Sequence, residues 1–156
     1  MALCVRGNPA TKRAIREAAE KEERSFYEGK AGTVWLNDLK KIGAVASKPF
    51  LETAPWPIAV FAERYAIDDQ GNRRKNYYVP ESVGFATGFL IQACHRLGFA
   101  TLTHTPNPMK FLKTILGRPQ TERPFVLLVV GHPSSDAMMP RVATAKKSVS
   151  EFASFM

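Results

Sequence analysis

The stretch that decides the fold runs from Glu81 to Thr101 and reads ESVGFATGFLIQACHRLGFAT. Val83, Ala86, Leu90, Ala93, Cys94 and Leu97 recur at three- and four-residue steps, which predicts a helix from about Glu81 to Leu97. Phe85, Phe89 and Ile91 widen its apolar face until the helix is apolar nearly all round, the pattern of a buried helix. Gly98 supplies the cap that ends it, and Phe99 to Thr103 reads as a strand.

Upstream, Asn8-Pro9 opens a first helix: Asn is a good N-cap, and Pro at the first helical position has no N–H to leave unpaired. From Ala10 to about Glu28 the residues are good helix formers, but Ala14, Ala18, Lys21 or Glu22, and Ser25 form a weak apolar stripe, which predicts a surface helix. Two glycines between Gly29 and Thr33 break it. Trp35, Leu36, Leu39, Ile42, Val45 and Ala46 then predict a second, amphipathic helix ending near Pro49, because the residue before a proline is pushed out of the helical region. Thr53 to Pro57 is a turn feeding a strand, Ile58 to Ala62, and Asp68 to Asn72 is an exposed turn.

Downstream, Met109 to Leu116 reads as a short helix closed by Gly117, and Phe125 to Val130 as a fully buried strand. The tail from Ser134 onward has weak periodicity and is expected to cross the surface. The order helix, helix, strand, central helix, strand, helix, strand, tail suggests a sheet flanked by helices, without internal repeats or a low-complexity linker.

The composition agrees with one globular domain. The chain has 156 residues, 45% of them apolar, with ten Phe, enough for a real core and inconsistent with a disordered tail. No run reaches the ~18 apolar residues that span a bilayer, and Met1 to Arg6 holds too short an apolar stretch for a signal peptide. No membrane association is expected. Cys4 and Cys94 make no disulfide framework, so a cytoplasmic protein with reduced thiols is the expectation. The net charge of +8 is dispersed, with short runs at Arg73-Arg74-Lys75 and Lys146-Lys147. Without a zinc knuckle, an RNA-recognition aromatic motif or a helix-turn-helix, it reads as solvated surface charge rather than a nucleic-acid footprint. His95, His104 and His132 show no metal-ligand spacing, so no metal is expected. Cys94 reads as a small core hydrophobe.

The central stretch, together with Thr103-His104-Thr105-Pro106, Leu116-Gly117-Arg118-Pro119 and Val130-Gly131-His132-Pro133, resembles the FMN-dependent nitroreductase superfamily and, within it, the iodotyrosine-deiodinase-like branch. The similarity runs from near Arg6 to the C-terminus with small gaps. Each motif alone is weak; the set, so spaced, is specific. The resemblance implies an α+β fold with a central sheet flanked by helices in an α/β/α sandwich, paired as an intertwined homodimer. It implies FMN bound without covalent attachment at the dimer interface, NAD(P)H or another electron donor, and a small aromatic substrate stacked on the flavin. The branch is similar to a reductive dehalogenase for halogenated tyrosines. The redox chemistry would belong to the cofactor, with the protein supplying position and electrostatics.

Residue by residue, the resemblance assigns Glu23, Tyr27 and Lys48 to the zwitterion of an amino-acid substrate. Residues four apart share a helix face, so Glu23 and Tyr27 can point together. Glu23 can accept from an ammonium, and Tyr27 and Lys48 can donate to a carboxylate. As residue types alone, they are equally ordinary on a basic surface helix and at a helix end. The Gly29–Thr33 break would let this region act as a lid. Thr103, His104 and Thr105 fall on the segment beside the flavin N5–O4 edge, with Thr105 at the catalytic position that tunes N5. Without the resemblance, a Thr-rich strand end is as well explained by β-propensity and a cap for the next helix. Lys146 falls near the basic residue that contacts the FMN phosphate, with Lys in place of the usual Arg and so without a bidentate fork. A solvated charge pair with Lys147 is the competing reading.

Full-length relatives begin with a helix carrying an Arg-rich, Ser-containing motif that grips the FMN phosphate, followed by a Pro-Ser-Gly-type segment against the flavin. Residues 1 to 8 hold only Arg6. The expectation is therefore a single nitroreductase-like domain, residues 1–156, lacking that N-terminal helix and flavin-phosphate motif. Two alternatives to an oxidoreductase acting on halotyrosine stand: a truncated, catalytically inactive paralogue with weak or no flavin binding, and a generic nitro- or quinone-reducing enzyme. The flavin-consuming relatives that make a cobalamin ligand are disfavoured by the Glu23, Tyr27 and Lys48 trio.

Overall fold

A computed structural model describes residues 1–5 and 7–156, with Val5 described in its backbone only; Arg6 lies outside the described residues. Four strands form an antiparallel sheet in the order β1 (Ala2–Val5), β2 (Trp56–Glu63), β6 (Glu122–Gly131) and β5 (Ala100–His104). A separate hairpin pairs β3 (Tyr65–Ile67) with β4 (Arg73–Lys75). Its turn is the one expected at Asp68 to Asn72, where the Asp68 carboxylate accepts from the N–H groups of Gln70 and Asn72.

The sheet has a layer on each side because side chains alternate along its strands. Ala59 and Phe61 of β2, with Leu127 and Val129 of β6, meet Ile15 and Ala19 of α1 (Pro9–Ser25), Leu51 of α3 (Phe50–Thr53) and Leu112 of α5 (Lys110–Ile115). Val60, Ala62 and Val126 on the other face meet Val83 of α4 (Val79–Arg96). The result is the expected α/β/α sandwich of α+β class.

Several expectations hold closely. The Asn8 side chain caps α1 by accepting from Ala10 and Thr11. Gly98 and Gly117 end α4 and α5 with φ of +80° and +61°, a region glycine enters at no steric cost. The tail carries only two exposed turns of helix, α6 (Arg141–Thr144) and α7 (Val149–Phe152).

Three expectations need correction. The first helix is not simply a surface helix: Ile15 and Ala19 are fully buried, with Lys12 on the same stripe, four residues apart and offset from the stripe the composition suggested. The second helix, α2 (Thr33–Lys41), stops well before Pro49 because Gly43 takes φ +68°. The central helix is not buried all round; only Val83 and Thr87 are covered, while Phe85 and Phe89 are 72% and 77% exposed. Its apolar character is real, but within a single copy of the described chain nothing covers its outer face. Among the described residues no helix is long and apolar enough to cross a membrane.

Candidate active site

The last turns of α1 hold the first part of the site. Glu20 and Glu23 stand three residues apart, and Tyr27 lies four further on, so all three fall on one helical face. The backbone then widens into a π-helical turn at Phe26–Lys30 and ends at Ala31. Gly32 caps α2, and a loop leads from Ile42 back to Lys48 and Pro49.

Lys48 precedes Pro49, the N-cap of α3, and its side chain lies back against α1. The Lys48 ammonium lies 3.3 Å from the Glu23 carboxylate, with side chains only 9% and 15% exposed. The Lys48 N–H donates to the Glu20 carboxylate at 2.7 Å. A pair this sheltered must recover a large desolvation cost through its mutual attraction. Tyr27 stands half-buried beside it; desolvation, and then the nearby Glu23 charge, push its phenol above the ordinary range. At neutral pH Tyr27 therefore remains a hydroxyl donor.

The ion pair lies in an open cleft of about 1060 Å³. One side is the end of β5, where Thr103, His104 and Thr105 line it; the other is the α1 end with α2, including Trp35 and Leu39. Trp35 packs edge-to-face on Phe26, ring centroids 4.8 Å apart. None of the residues of α2 is buried, so its apolar stripe faces the cleft instead of the core. β5 is the end strand of its sheet, so among the described residues the backbone on its outer side has no strand neighbour. Thr103 and Thr105 are exposed, whereas His104 is buried with its Nε2 unpartnered. Burial, with the Lys48 charge added, lowers His104 from the ordinary 6.5 to about 4, so it is neutral at physiological pH.

The structure thus brings together Glu23, Tyr27, Lys48, Thr103, His104 and Thr105 around one cleft. Lys146 does not join them; it is exposed in the tail and does not line this cleft. Two contributions escaped the sequence reading. Glu20 was visible as a second acidic residue on the Glu23 face, but only the fold shows that it grips the Lys48 backbone. The aromatic wall joins Phe26 of the π-helical turn to Trp35 of α2, an amphipathic helix whose stripe gave no sign of which surface it would face.

No protein-family model matches the sequence. Over 141 residues the chain is 50% identical to an iodotyrosine deiodinase of Haliscomenobacter hydrossis, an alignment covering 90% of this chain and 64% of that protein. By sequence the chain is a relative of the iodotyrosine deiodinases, and its fold is that of the FMN-bound deiodinase and of the nitroreductases. This deiodinase-like chain is also 40% identical over 134 residues to iodotyrosine deiodinase 1 of Mus musculus, covering 85% of itself and 47% of that protein. It therefore spans about half to just under two thirds of the length of these curated relatives. A crystal structure of oxidized iodotyrosine deiodinase bound to FMN and 3-iodo-L-tyrosine superposes with a TM-score of 0.77 at 25% identity, covering 99% of this chain and 76% of that one. An FMN-dependent nitroreductase from Clostridium difficile shares the fold at a TM-score of 0.59 and 14% identity, covering 99% and 73%.

Proposed function

We propose that this chain is the substrate-binding and flavin-edge part of an FMN-dependent oxidoreductase that reductively dehalogenates a halogenated tyrosine. The observation that carries the reading is the sheltered Glu23–Lys48 pair, which shares its cleft with Tyr27 and with the Thr103–Thr105 strand end. A lone buried ion pair is a poor stabiliser. One opening into a cleft beside a phenol donor is suited to accept a zwitterion. The α-ammonium of the substrate takes Glu23, the α-carboxylate takes Lys48 and Tyr27, and one internal pair becomes two interleaved ones.

The residues present suit a flavin's N5–O4 edge. The outer side of β5 offers backbone groups without a strand neighbour, and the exposed Thr103 and Thr105 add hydroxyl donors. Bound there, FMN would supply the electrons for the reduction. Thr105 would be the catalytic donor toward N5, and Thr103 and His104 would help hold that edge of the flavin. Trp35 and Phe26 shield the bound ring of the substrate from water. Glu23, Tyr27 and Lys48 fix its orientation, which is where position contributes most to rate. The phosphate role of Lys146 requires the tail to approach from a partner copy or to rearrange, since it stands outside this protomer's cleft.

The reading includes a homodimer, supported by the exposed Phe85 and Phe89 of α4, and an external donor such as NAD(P)H. It also includes a single nitroreductase-like domain over residues 1–156, and a cytoplasmic setting consistent with the unbridged Cys4 and Cys94. Purified protein mixed with FMN and desalted should keep its yellow colour, and 3-iodo-L-tyrosine should quench the flavin fluorescence. Colourless protein would instead support a catalytically inactive paralogue. Flavin retained without quenching would support the generic nitro- or quinone-reducing alternative.

A further inference from the structure

Glu20 takes no part in the zwitterion contacts, yet it makes the hydrogen bond that ties the two halves of that site together. Val45, Ala46 and Ser47 make no hydrogen bond through their backbone N–H groups among the described residues. The next donor, the Lys48 N–H, reaches the Glu20 carboxylate at 2.7 Å across 28 positions of sequence. On its other side the Lys48 carbonyl accepts from Leu51 at 3.1 Å, and Leu51 is fully buried. Lys48 is thus the junction between a loosely held loop and the core. Glu20 is well suited to hold it: its side chain is 13% exposed, and its one ion-pair partner within 4 Å among the described residues is Arg24, at 3.8 Å. A carboxylate accepting a backbone N–H is one of the stronger hydrogen bonds.

We propose that Glu20 is a positioning residue: it holds the Lys48 backbone in register with α1 and thereby sets where the Lys48 ammonium stands relative to Glu23. The inference rests on the zwitterion reading given above. Without this latch the Ile42–Ser47 loop samples other positions, and affinity falls with the fraction of molecules in which Lys48 faces Glu23.

Two readouts test it on the full chain. Backbone amide exchange at Lys48 should quicken at least about tenfold in Glu20→Ala and stay within about threefold of the parent in Glu20→Gln, which keeps an acceptor oxygen. On the FMN-loaded protein, calorimetric affinity for 3-iodo-L-tyrosine should fall about tenfold in Glu20→Ala and within about threefold in Glu20→Gln, with flavin retention equal in all three. In a Lys48→Ala background the Glu20→Ala penalty should vanish, because the latch then positions nothing; a merely structural role would stay additive. Unchanged exchange in Glu20→Ala overturns the latch. Faster exchange with unaltered affinity overturns its bearing on the site. Equal losses in Glu20→Gln overturn the acceptor role. Should the alanine variant not fold, Glu20→Asp, one methylene too short to reach, gives the same readings. A parent chain with the expected exchange pattern that binds no iodotyrosine refutes the proposed substrate, leaving Glu20 a structural contact and overturning its role in binding.

Discussion

Stability and binding should separate cleanly at the Glu23–Lys48 pair. At 3.3 Å and an effective dielectric of about 20, the attraction between the two charges is about 5 kcal/mol. Desolvation of two side chains only 9% and 15% exposed offsets most of it. Removing one charge leaves the other sheltered and unpaired. Glu23→Gln and Lys48→Met should each therefore destabilise the chain by about 3 kcal/mol, the lower end for buried pairs because the cleft admits water to the survivor. The double variant leaves no orphan charge, so it should recover most of that loss and lie within about 1 kcal/mol of the parent. Binding should not recover, since neither end of a zwitterion then finds its partner. Urea unfolding of the four proteins gives the first cycle, and calorimetry with 3-iodo-L-tyrosine gives the second. A double variant destabilised by the sum of the single changes would refute the claim that the pair is costly to half-remove. A double variant that bound iodotyrosine like the parent would refute its role in the site.

Three further outcomes follow from the same structure. The folded chain holds His104 near pH 4 while the unfolded chain titrates near 6.5, so only the unfolded state takes up this proton between those values. Stability should thus fall as pH drops through that window, by about 2–3 kcal/mol from pH 7 to 4.5. Urea midpoints that fall equally in His104→Asn would refute it. Replacing Phe85 and Phe89, both largely exposed on α4, by Glu should convert a dimer into a monomer in sedimentation; a monomeric parent would contradict the proposed pairing. Asn8→Ala removes the side-chain acceptor for Ala10 and Thr11 and should cost about 1 kcal/mol by thermal unfolding, with no change in flavin retention.

Local chemistry made much of the architecture legible before the structure. Asn8, Gly98 and Gly117 mark helix ends because caps and left-handed turns are decided within a few residues. The buried strand at Phe125 to Val130 was visible for the same reason, as an uninterrupted apolar run. What failed depended on neighbours. Ile15 and Ala19 were passed over because an Ala- and Glu-rich helix offers several weak stripes, and the sheet face of Phe61 and Leu127 selects among them. Around α4 the periodicity marks a helix, yet an apolar face says nothing about what covers it. The site was legible chiefly through resemblance. Glu23 and Tyr27 share a face by spacing alone, but the approach of Lys48 depends on a loop whose course no local pattern encodes. Lys146 shows the opposite case, a residue that falls near a basic position of the family but outside the cleft of this chain.

The helix Thr33–Lys41 contributes nothing to the hydrophobic interior, and this gives the molecule two thermal lives. Its walls share the cooperative unfolding of the sheet, while its roof can melt and re-form at a fraction of that free energy. Substitutions at Trp35 or Leu39 should therefore pass unnoticed in a melting curve and register only in how long a guest stays inside.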